Sequence, residues 1–195
     1  MSRLLAGDDG TEFNYDASGR IKLAFGTGHI DMHKQGYINV DIRSFPHIDV
    51  QCDLSKKLPL KDDYADEILA HSLLEHFPMG DYDNIARPYA NTIRILKEWI
   101  RVLKPEGVLI LKVPNIKGLA SCYLNNKIEI FEFFNYLYGG QDYPENTHLA
   151  GFDTKTMQFC LHIAGFSHID FKHAHNDDGN FDELSDWEMR VVAEK

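Results

Sequence analysis

The stretch from Ile21 to Arg43, IKLAFGTGHIDMHKQGYINVDIR, carries the clearest signal in the chain. An apolar run ends in Gly26-Thr27-Gly28, and a second run, from Tyr37 to Val40, ends in the acid Asp41. A strand, a glycine turn and a second strand tipped by a carboxylate are the parts of a nucleotide site on an open α/β sheet. Short GxG strings also recur by chance, so other features of the chain must separate a nucleotide site from a coincidence.

Length and charge restrict the class of protein. The chain has 195 residues, which predicts a single domain over residues 1–195, and 44% hydrophobic with 26% charged residues is ordinary for a soluble globular protein. The formal net charge is −10. Because an acidic surface repels phosphate, we expect no nucleic-acid partner and no anionic membrane, and a small-molecule substrate fits better. The oligomeric state is not predicted.

Targeting and redox signals are weak. No apolar run is long enough to cross a bilayer, and the first residues (MSRLLAGDDGTEF) are too short and too acidic for a signal peptide, so a cytoplasmic location is expected. Three cysteines, Cys52, Cys122 and Cys160, form no CxxC pair. This spacing argues against a disulfide framework and against a structural zinc site.

Strand and helix patterns alternate along the chain. An apolar stripe from Tyr89 to Leu103 predicts a helix that Lys104-Pro105-Glu106-Gly107 ends, and a second helix is predicted from Thr154 to Ile163 with Gly165 as its C-cap. Strands are predicted near residues 21–25, 37–41, 48–53, 67–70, 108–113, 168–173 and 187–193. This alternation predicts an α/β sheet with helices on both faces. The last two strands have no helix between them, so they should pair as an antiparallel hairpin.

Residues 116–150 are unusually rich in aromatic side chains. They include Tyr123, Phe131, Phe133, Phe134, Tyr136, Tyr138 and Tyr143. One interpretation is a substrate lid whose rings stack on a sugar or another ring, with Tyr123, Tyr138 and Tyr143 facing the cleft. The other is an extra core helix, because Ile128, Phe131, Phe134 and Leu137 follow a helical stripe. Both can hold together.

Six stretches in order give the sequence a family resemblance. They are LAFGTG (23–28), GYINVDI (36–42), DVQCDL (49–54), LPLKDDYADEILAHSLLEHF (58–77), EWIRVLKPEGVLILKVPN (98–115) and the terminal hairpin that ends in VVAEK (191–195). Together they resemble class I S-adenosylmethionine-dependent methyltransferases of the methyltransferase type 11 group. The resemblance implies a Rossmann-like, mostly parallel seven-stranded sheet with a C-terminal antiparallel hairpin, S-adenosyl-L-methionine as cofactor, and a lid at 116–150.

The resemblance also implies a set of cofactor-binding residues: Phe25, Gly26, Thr27, Gly28, Asp41, Ile42, Asp53, Leu54, His71 and Ser72. In it the glycines turn against the methionine part, and Asp41 takes the ribose hydroxyls. Ile42 and Leu54 lie beside the adenine, Asp53 accepts from its amine, and His71 and Ser72 line the sulfonium end. The alternative for each acid is a solvated or helix-capping role.

Candidate catalytic residues are His148, Glu75 and His76. Histidine has a suitable pKa for a general base, and His148 follows the aromatic segment; a histidine that only holds the lid backbone is the alternative. For Glu75-His76 the alternative is a structural role, which the resemblance implies, with Glu75 hydrogen-bonding within the sheet edge. Related methyltransferases also hold a divalent metal with a Glu-His pair of this type. One of those families supplies a further ligand, a glutamate, at the position where this chain has Ser72. A second candidate site has His173 and His175 with Asp177 and Asp178, but without a cysteine or a third ordered ligand these residues fit a polar hairpin tip. No metal is therefore predicted at either site.

The expected function is therefore methyl transfer to a small molecule, with a sugar or nucleotide-sugar hydroxyl favoured by family analogy alone. An NAD(P)-dependent sugar-modifying enzyme is one alternative. It is disfavoured because the loop after Gly28 is short and has Asp31 where a dinucleotide fingerprint needs its third glycine. A binding module that keeps the cofactor pocket without turnover is the other.

Overall fold

The computed structural model describes residues 19–80, 88–172 and 186–195. In these residues the strands are β1 (Lys22–Phe25), β2 (Tyr37–Asp41), β3 (Val50–Gln51), β4 (Ala65–His71), β5 (Leu103–Pro114), β6 (Ser167–Lys172) and β7 (Glu188–Glu194). They form one sheet in the order β3-β2-β1-β4-β5-β7-β6. Strands β1 to β5 pair in parallel, while β7 runs antiparallel to both β5 and β6. The predicted α/β sheet and its C-terminal hairpin are confirmed.

The helices of the described residues are α1 (Ala90–Val102), α2 (Ile116–Leu124), α3 (Ile130–Tyr138) and α4 (Thr154–Ala164). Helix α4 agrees with its prediction at both ends. Asp153 caps its first turn by accepting from the Thr156 amide at 2.8 Å, and Gly165 ends it with φ at 110°. None of the helices in the described part of the chain combines the length and the apolar character needed to cross a membrane.

The turn predicted at Lys104–Gly107 is instead part of β5. Ala65 pairs with Leu103 and Glu67 pairs with Val108. The register therefore advances by two residues along β4 but by five residues along β5. The extra residues form a bulge in which Glu106 has φ at 65°. Proline and glycine therefore end α1 as predicted, but the chain bulges within the sheet rather than leaving it.

Helix α1 covers one face of the sheet and carries the centre of the core. Trp99 is fully buried, its ring meets Phe25 edge to face at 5.4 Å, and its indole N–H donates to the Leu54 carbonyl at 3.1 Å. These contacts fix the ends of β1 and the segment after β3 relative to each other. Both segments lead directly into the glycine turn and the acids predicted to bind the cofactor.

The aromatic segment folds as α2, α3 and a 3₁₀ turn (Pro144–Asn146). Phe131 is 82% exposed and Phe134 is 47% exposed, so the stripe read as a core face is open to solvent in the described structure. Capping by the Glu129 side chain and its partner Glu132 starts α3, and Gly139 follows its last residue. The predicted residues His173, His175, Asp177 and Asp178 lie outside the described residues.

Candidate functional site

The glycine turn after β1 is held by the end of β2. Gly26 and Gly28 have φ of 67° and 58°, which glycine adopts without strain. The Gly26 N–H donates to the Val40 carbonyl, and the Gly28 N–H donates to the Asp41 carboxylate, both at 2.8 Å. A Cβ on Gly26 would lie 2.6 Å from a methyl carbon of Leu73. The turn therefore brings bare backbone against the segment that follows β4.

Asp41 is 3% exposed, and both of its carboxylate oxygens accept hydrogen bonds from neighbours. One oxygen accepts from Gly28, and the other accepts from the Arg43 N–H at 2.8 Å and from Arg43 Nε at 3.3 Å. The Arg43 guanidinium also lies over the rings of Phe45 and Tyr143, at 5.2 and 5.3 Å from their centroids. Arg43 thus links the tip of β2 to a residue of the aromatic segment.

Asp53 follows β3 and organises a turn. Its Oδ1 accepts from the Ser55 N–H at 2.9 Å and from the Ser55 hydroxyl at 2.6 Å, and its Oδ2 lies 3.2 Å from Lys56 Nζ. Burial raises the pKa of Asp53, but the Ser55 hydrogen bonds outweigh it and hold the pKa below its usual value. The carboxylate is ionised at neutral pH and can accept a further hydrogen bond.

A cavity of about 650 Å³ lies at the carboxyl ends of β1, β2 and β4, and we name it the strand-end cavity. Nine of the ten residues predicted to bind the cofactor line it: Gly26, Thr27, Gly28, Asp41, Ile42, Asp53, Leu54, His71 and Ser72. Phe25 does not. Its side chain is 2% exposed and packs on Trp99 in the core. The aromatic segment supplies Tyr143 to the opposite wall.

A second cavity, of about 520 Å³, lies under α3, and we name it the lid cavity. Its lining includes Pro114, Asn135, Tyr136, Gly139, Gly140, Asp142 and Trp187. The Tyr136 and Trp187 rings stack with centroids 4.0 Å apart. Ser72, Asn146 and His148 line both cavities, so the two spaces meet at these side chains.

Glu75 lies in the wall of the lid cavity. Its backbone carbonyl accepts from Leu149 at 2.7 Å and from Ala150 at 3.0 Å, which ties it to the end of the aromatic segment. Its side chain is buried, and neither carboxylate oxygen has a hydrogen-bond partner among the described residues. Burial raises the pKa of Glu75 to about 8, helped by nearby Glu188 and opposed by Lys112.

His76 and His148 stand next to each other, with ring centroids 4.8 Å apart. His76 Nδ1 lies 3.1 Å from the Thr147 carbonyl, and His148 Nδ1 lies 3.0 Å from the Tyr136 carbonyl. Since a carbonyl only accepts, Nδ1 carries the proton in each ring and Nε2 keeps its lone pair. Burial lowers the pKa of both histidines, and His76 lowers that of His148 further, so both are neutral at pH 7.

The cluster of Glu75, His76 and His148 has ligand-type atoms within 4.8 Å of one another. The geometry brings all three predicted catalytic residues together at the wall between the two cavities. Two ligands of one ion lie up to about 4.4 Å apart when the bonds are about 2.0–2.2 Å long, so the spacing of this cluster falls near that of a metal site. The expectation of no metal remains a prediction.

Sequence reasoning missed Arg43, Tyr136, Asn146 and Trp187 as cavity residues. Trp187 precedes β7 and meets α3 only because the hairpin folds back beside β5. Tyr138 and Tyr123, which were predicted to face the cleft, line neither cavity, whereas Tyr143 does. The aromatic richness marks a segment that contributes to the lining of both cavities, but the helix phase that selects the inward rings is a tertiary property.

The comparison with family models agrees with this geometry. Residues 28–111 match the family described as a methyltransferase domain. This match begins at Gly28, the last residue of the glycine turn, and includes Asp41, Asp53 and the Glu75-His76 corner. The chain contains a class I S-adenosylmethionine-dependent methyltransferase domain. Its cofactor is S-adenosylmethionine.

Solved structures of S-adenosylmethionine-dependent methyltransferases share this methyltransferase fold. One from Archaeoglobus fulgidus has 17% identity and a TM-score of 0.56, with 90% of this chain and 86% of that chain covered. One from Thermotoga maritima, named as a possible histamine N-methyltransferase, has 19% identity and a TM-score of 0.57, with 90% and 82% covered. Human N-acetylserotonin methyltransferase in complex with its cofactor has 14% identity and a TM-score of 0.54, with 90% and 47% covered. No curated protein sequence matches the chain.

Proposed function

We propose that this methyltransferase transfers the methyl group of S-adenosylmethionine to a hydroxyl of a small polar molecule, such as a sugar, held in the lid cavity. The observation that carries the proposal is the junction of the two cavities at Ser72, Asn146 and His148. A cofactor in one cavity and an acceptor in the other meet there, which is the arrangement that methyl transfer requires. The proposal extends the family assignment to an acceptor class and to named residues.

The strand-end cavity holds the cofactor in this proposal. The Asp41 carboxylate binds the ribose hydroxyls, because it stands at the tip of β2 beside the open glycine turn. Ile42 is 47% exposed in the free cavity and covers one face of the adenine, while Asp53 accepts from the adenine amine. The methionine part then runs past Gly26 and Gly28 toward His71 and Ser72.

His148 is the general base in this proposal. Its Nδ1–H is held by the Tyr136 carbonyl, which leaves the Nε2 lone pair to accept the proton of the acceptor hydroxyl. The acceptor oxygen attacks the methyl carbon in line, the carbon–sulfur bond breaks, and S-adenosylhomocysteine leaves. The reactive group is the cofactor's own, so the chain mainly aligns the acceptor, removes one proton and excludes water.

The lining of the lid cavity favours a polar ring as acceptor. Asn135 and Asn146 offer amide donors and acceptors, and the Tyr136–Trp187 stack offers aromatic surface. Sugars present hydroxyls at their edge and C–H groups on their face, which such a mixed surface binds. Methylation in surface polysaccharide synthesis is the family analogy behind the choice of a sugar.

An acceptor screen tests the proposal. The protein is incubated with S-adenosylmethionine and panels of free sugars and nucleotide sugars, and formation of S-adenosylhomocysteine is measured. With an active acceptor, His148→Gln should lower kcat by roughly 10²–10⁴-fold with little change in KM, the range for loss of a general base. Because burial lowers the pKa of His148, the acid limb of the wild-type pH profile should lie below the usual histidine range. An unchanged kcat in the variant would rule out His148 as the base.

Two alternatives predict different binding patterns. A nicotinamide-dependent enzyme would be stabilised in a thermal-shift assay by NAD or NADP and left unchanged by S-adenosylhomocysteine. A module without turnover would bind S-adenosylhomocysteine, transfer no methyl group to any acceptor, and be indifferent to His148→Gln. The short loop after Gly28 and the neutral, oriented His148 favour the methyltransferase over both.

A further inference from the structure

We infer that the methyl acceptor carries an ammonium group, and that this group pairs with the Glu75 carboxylate in the lid cavity. The inference rests on the proposed function and narrows its acceptor class from polar molecules in general to amine-bearing ones. Its basis is three features of the lid cavity. The Glu75 carboxyl has no hydrogen-bond partner among the described residues, the described lining contains no lysine or arginine, and two aromatic rings stack in the wall. Each of these features is independent of the others.

The first feature is the unpaired carboxylate. Glu75 is 1% exposed, and both of its carboxylate oxygens lack a hydrogen-bond partner among the described residues. A buried carboxyl group without a hydrogen-bond partner is costly whether it is neutral or ionised, and such groups are normally paired or hydrogen-bonded. The Glu75 backbone already anchors Leu149 and Ala150, but that role needs no carboxylate. The side chain borders the lid cavity, so a ligand there can supply the missing donors.

The second feature is the sign of the surrounding charge. The acidic side chains that line the lid cavity are Glu75 and Asp142, and the described lining contains no lysine or arginine. Lys112 is not part of this lining, and its Nζ lies 3.4 Å from Glu188 Oε1, so these two charges offset each other. His76 and His148 are neutral because burial lowers their pKa. An anionic ligand would therefore meet the negative charge of Asp142 and no cation, whereas a cation would gain from Asp142 and from Glu75 once that carboxyl ionises.

The third feature is the stacked pair of Tyr136 and Trp187. Electron-rich ring faces attract ammonium groups at about 6 Å or less, and tryptophan does so best. Both residues line the same cavity as Glu75. A carboxylate next to aromatic rings forms a common type of amine site. An acceptor whose ammonium sits at Glu75 can present a neighbouring hydroxyl to His148, which lines the same space.

Binding of the ammonium has a consequence for protons. Glu75 is protonated before binding at neutral pH, since burial raises its pKa to about 8, and an ammonium partner favours the ionised form. The carboxyl O–H therefore releases its proton to solvent as the ion pair forms. Other titratable groups near Glu75 are Glu188, Lys112, His76 and His148. If the released proton comes from Glu75, the release must be absent in a variant in which this side chain cannot ionise.

The experiment compares ligands that differ only in charge. Calorimetry is done on protein saturated with S-adenosylhomocysteine, using D-glucosamine, D-glucose and D-glucuronate as probes at up to millimolar concentration. We expect glucosamine to bind at least roughly tenfold more tightly than glucose, as a charge-assisted hydrogen bond allows, and glucuronate not to bind. Glucosamine binding should release a proton, read from the dependence of the heat on buffer ionisation.

Variants assign the preference to Glu75. Glu75→Gln keeps the shape of the side chain and should abolish both the preference for glucosamine and the proton release. Glu106→Gln, on the exposed bulge of β5, is the matched control and should leave both unchanged. Unfolding temperatures of the variants show whether each is folded before binding is measured.

A second probe set covers acceptors that are not sugars: tyramine, 4-ethylphenol and 4-hydroxyphenylacetate, which are cationic, neutral and anionic on one ring. The inference is overturned if the cationic and neutral probes bind equally, if an anionic probe binds more tightly, or if neither amine binds. It is also overturned if the preference for the amine persists in Glu75→Gln. The proposed function fails separately, if S-adenosylhomocysteine itself does not bind.

Discussion

Asp41 is the residue whose loss should weaken cofactor binding most. Its oxygens already order the Gly28 and Arg43 amides, and the ribose would add hydrogen bonds to a charged acceptor. Hydrogen bonds to charged groups contribute about 1.5–3 kcal/mol, so Asp41→Ala should raise the Kd for S-adenosylhomocysteine by at least roughly tenfold. Calorimetry measures the change. Asp170→Ala, an exposed acid on β6, is the control, and an equal Kd in Asp41→Ala would mean that Asp41 does not bind the cofactor.

Glu75 should make the protein less stable as the pH rises. The ordinary pKa of its carboxyl is 4.5, and burial raises that pKa to about 8 in the folded state, so between these values the unfolded chain is ionised and the folded chain is not. Unfolding then releases a proton and is favoured by rising pH, with a slope of at most about 1.4 kcal/mol per pH unit for one group. Below both pKa values the contribution vanishes.

Glu75→Gln tests this directly, because an amide does not titrate. We expect the free energy of unfolding of wild type to fall, relative to that of the variant, as the pH rises from about 5 to 8. Denaturant unfolding at several pH values gives the comparison. Parallel curves for the two proteins would show that the Glu75 pKa is not raised in the folded state.

The sequence could indicate the residues whose role is set locally. Gly26 and Gly28 sit in a turn that needs positive φ, and Asp41 ends a strand, so the pattern alone placed them at one sheet edge. Trp187 and Tyr136 carry no such local mark. Their contact depends on how the hairpin packs against α3, and the number of residues between Tyr136 and Trp187 in the sequence does not predict that packing.

At the scale of elements, the β5 bulge stores strain that can be relieved. Glu106 holds φ at 65° on an exposed site, a conformation that costs an ordinary residue about 1 kcal/mol or more. Glu106→Gly removes that cost but gives the unfolded chain more freedom, so a net gain of up to about 0.5 kcal/mol is expected. Thermal unfolding measures it.

The neighbouring glycine supplies the contrast. A Cβ on Gly107 would lie 2.8 Å from the Lys104 carbonyl oxygen and 3.2 Å from that of Ala65, so Gly107→Ala should destabilise by roughly 1–3 kcal/mol. If Glu106→Gly destabilised as much as Gly107→Ala, the strain at Glu106 would be compensated by a contact of its side chain.

Elements were predicted well where local and tertiary preferences agree. Helix α4 has its cap, its apolar side and its terminal glycine in sequence, and it forms over nearly the predicted residues. The bulge was missed because proline and glycine end a helix in either setting, and only pairing with β4 shows that the chain stays in the sheet. The stripe of α3 left two interpretations open because periodicity marks one face without saying what covers it, and the exposure of Phe131 disfavours the core interpretation.

At the scale of the whole molecule, the cofactor should order the aromatic segment. The strand-end cavity lies between β2 and the turn at Tyr143–Asn146, and in the free protein the described bridge across it is the contact of Arg43 with Tyr143. The backbone N–H groups of Gln141, Asn146 and His148 donate to the carbonyls of Asn146, Tyr143 and Tyr138, and residues 141–145 are exposed. Such segments open with low free energy, so a ligand that touches them slows their opening.

Hydrogen exchange should therefore show slower exchange over residues 138–148 when S-adenosylhomocysteine is bound, and unchanged exchange in α4. Arg43→Ala should speed exchange of residues 138–148 in the free protein, because the guanidinium no longer holds the Tyr143 ring. Saturating S-adenosylhomocysteine should largely remove that difference, since the ligand then contacts the same turn. If ligand protection stayed confined to β1 and β2, the aromatic segment would not close over the cofactor, and its Tyr143 wall would serve the acceptor alone.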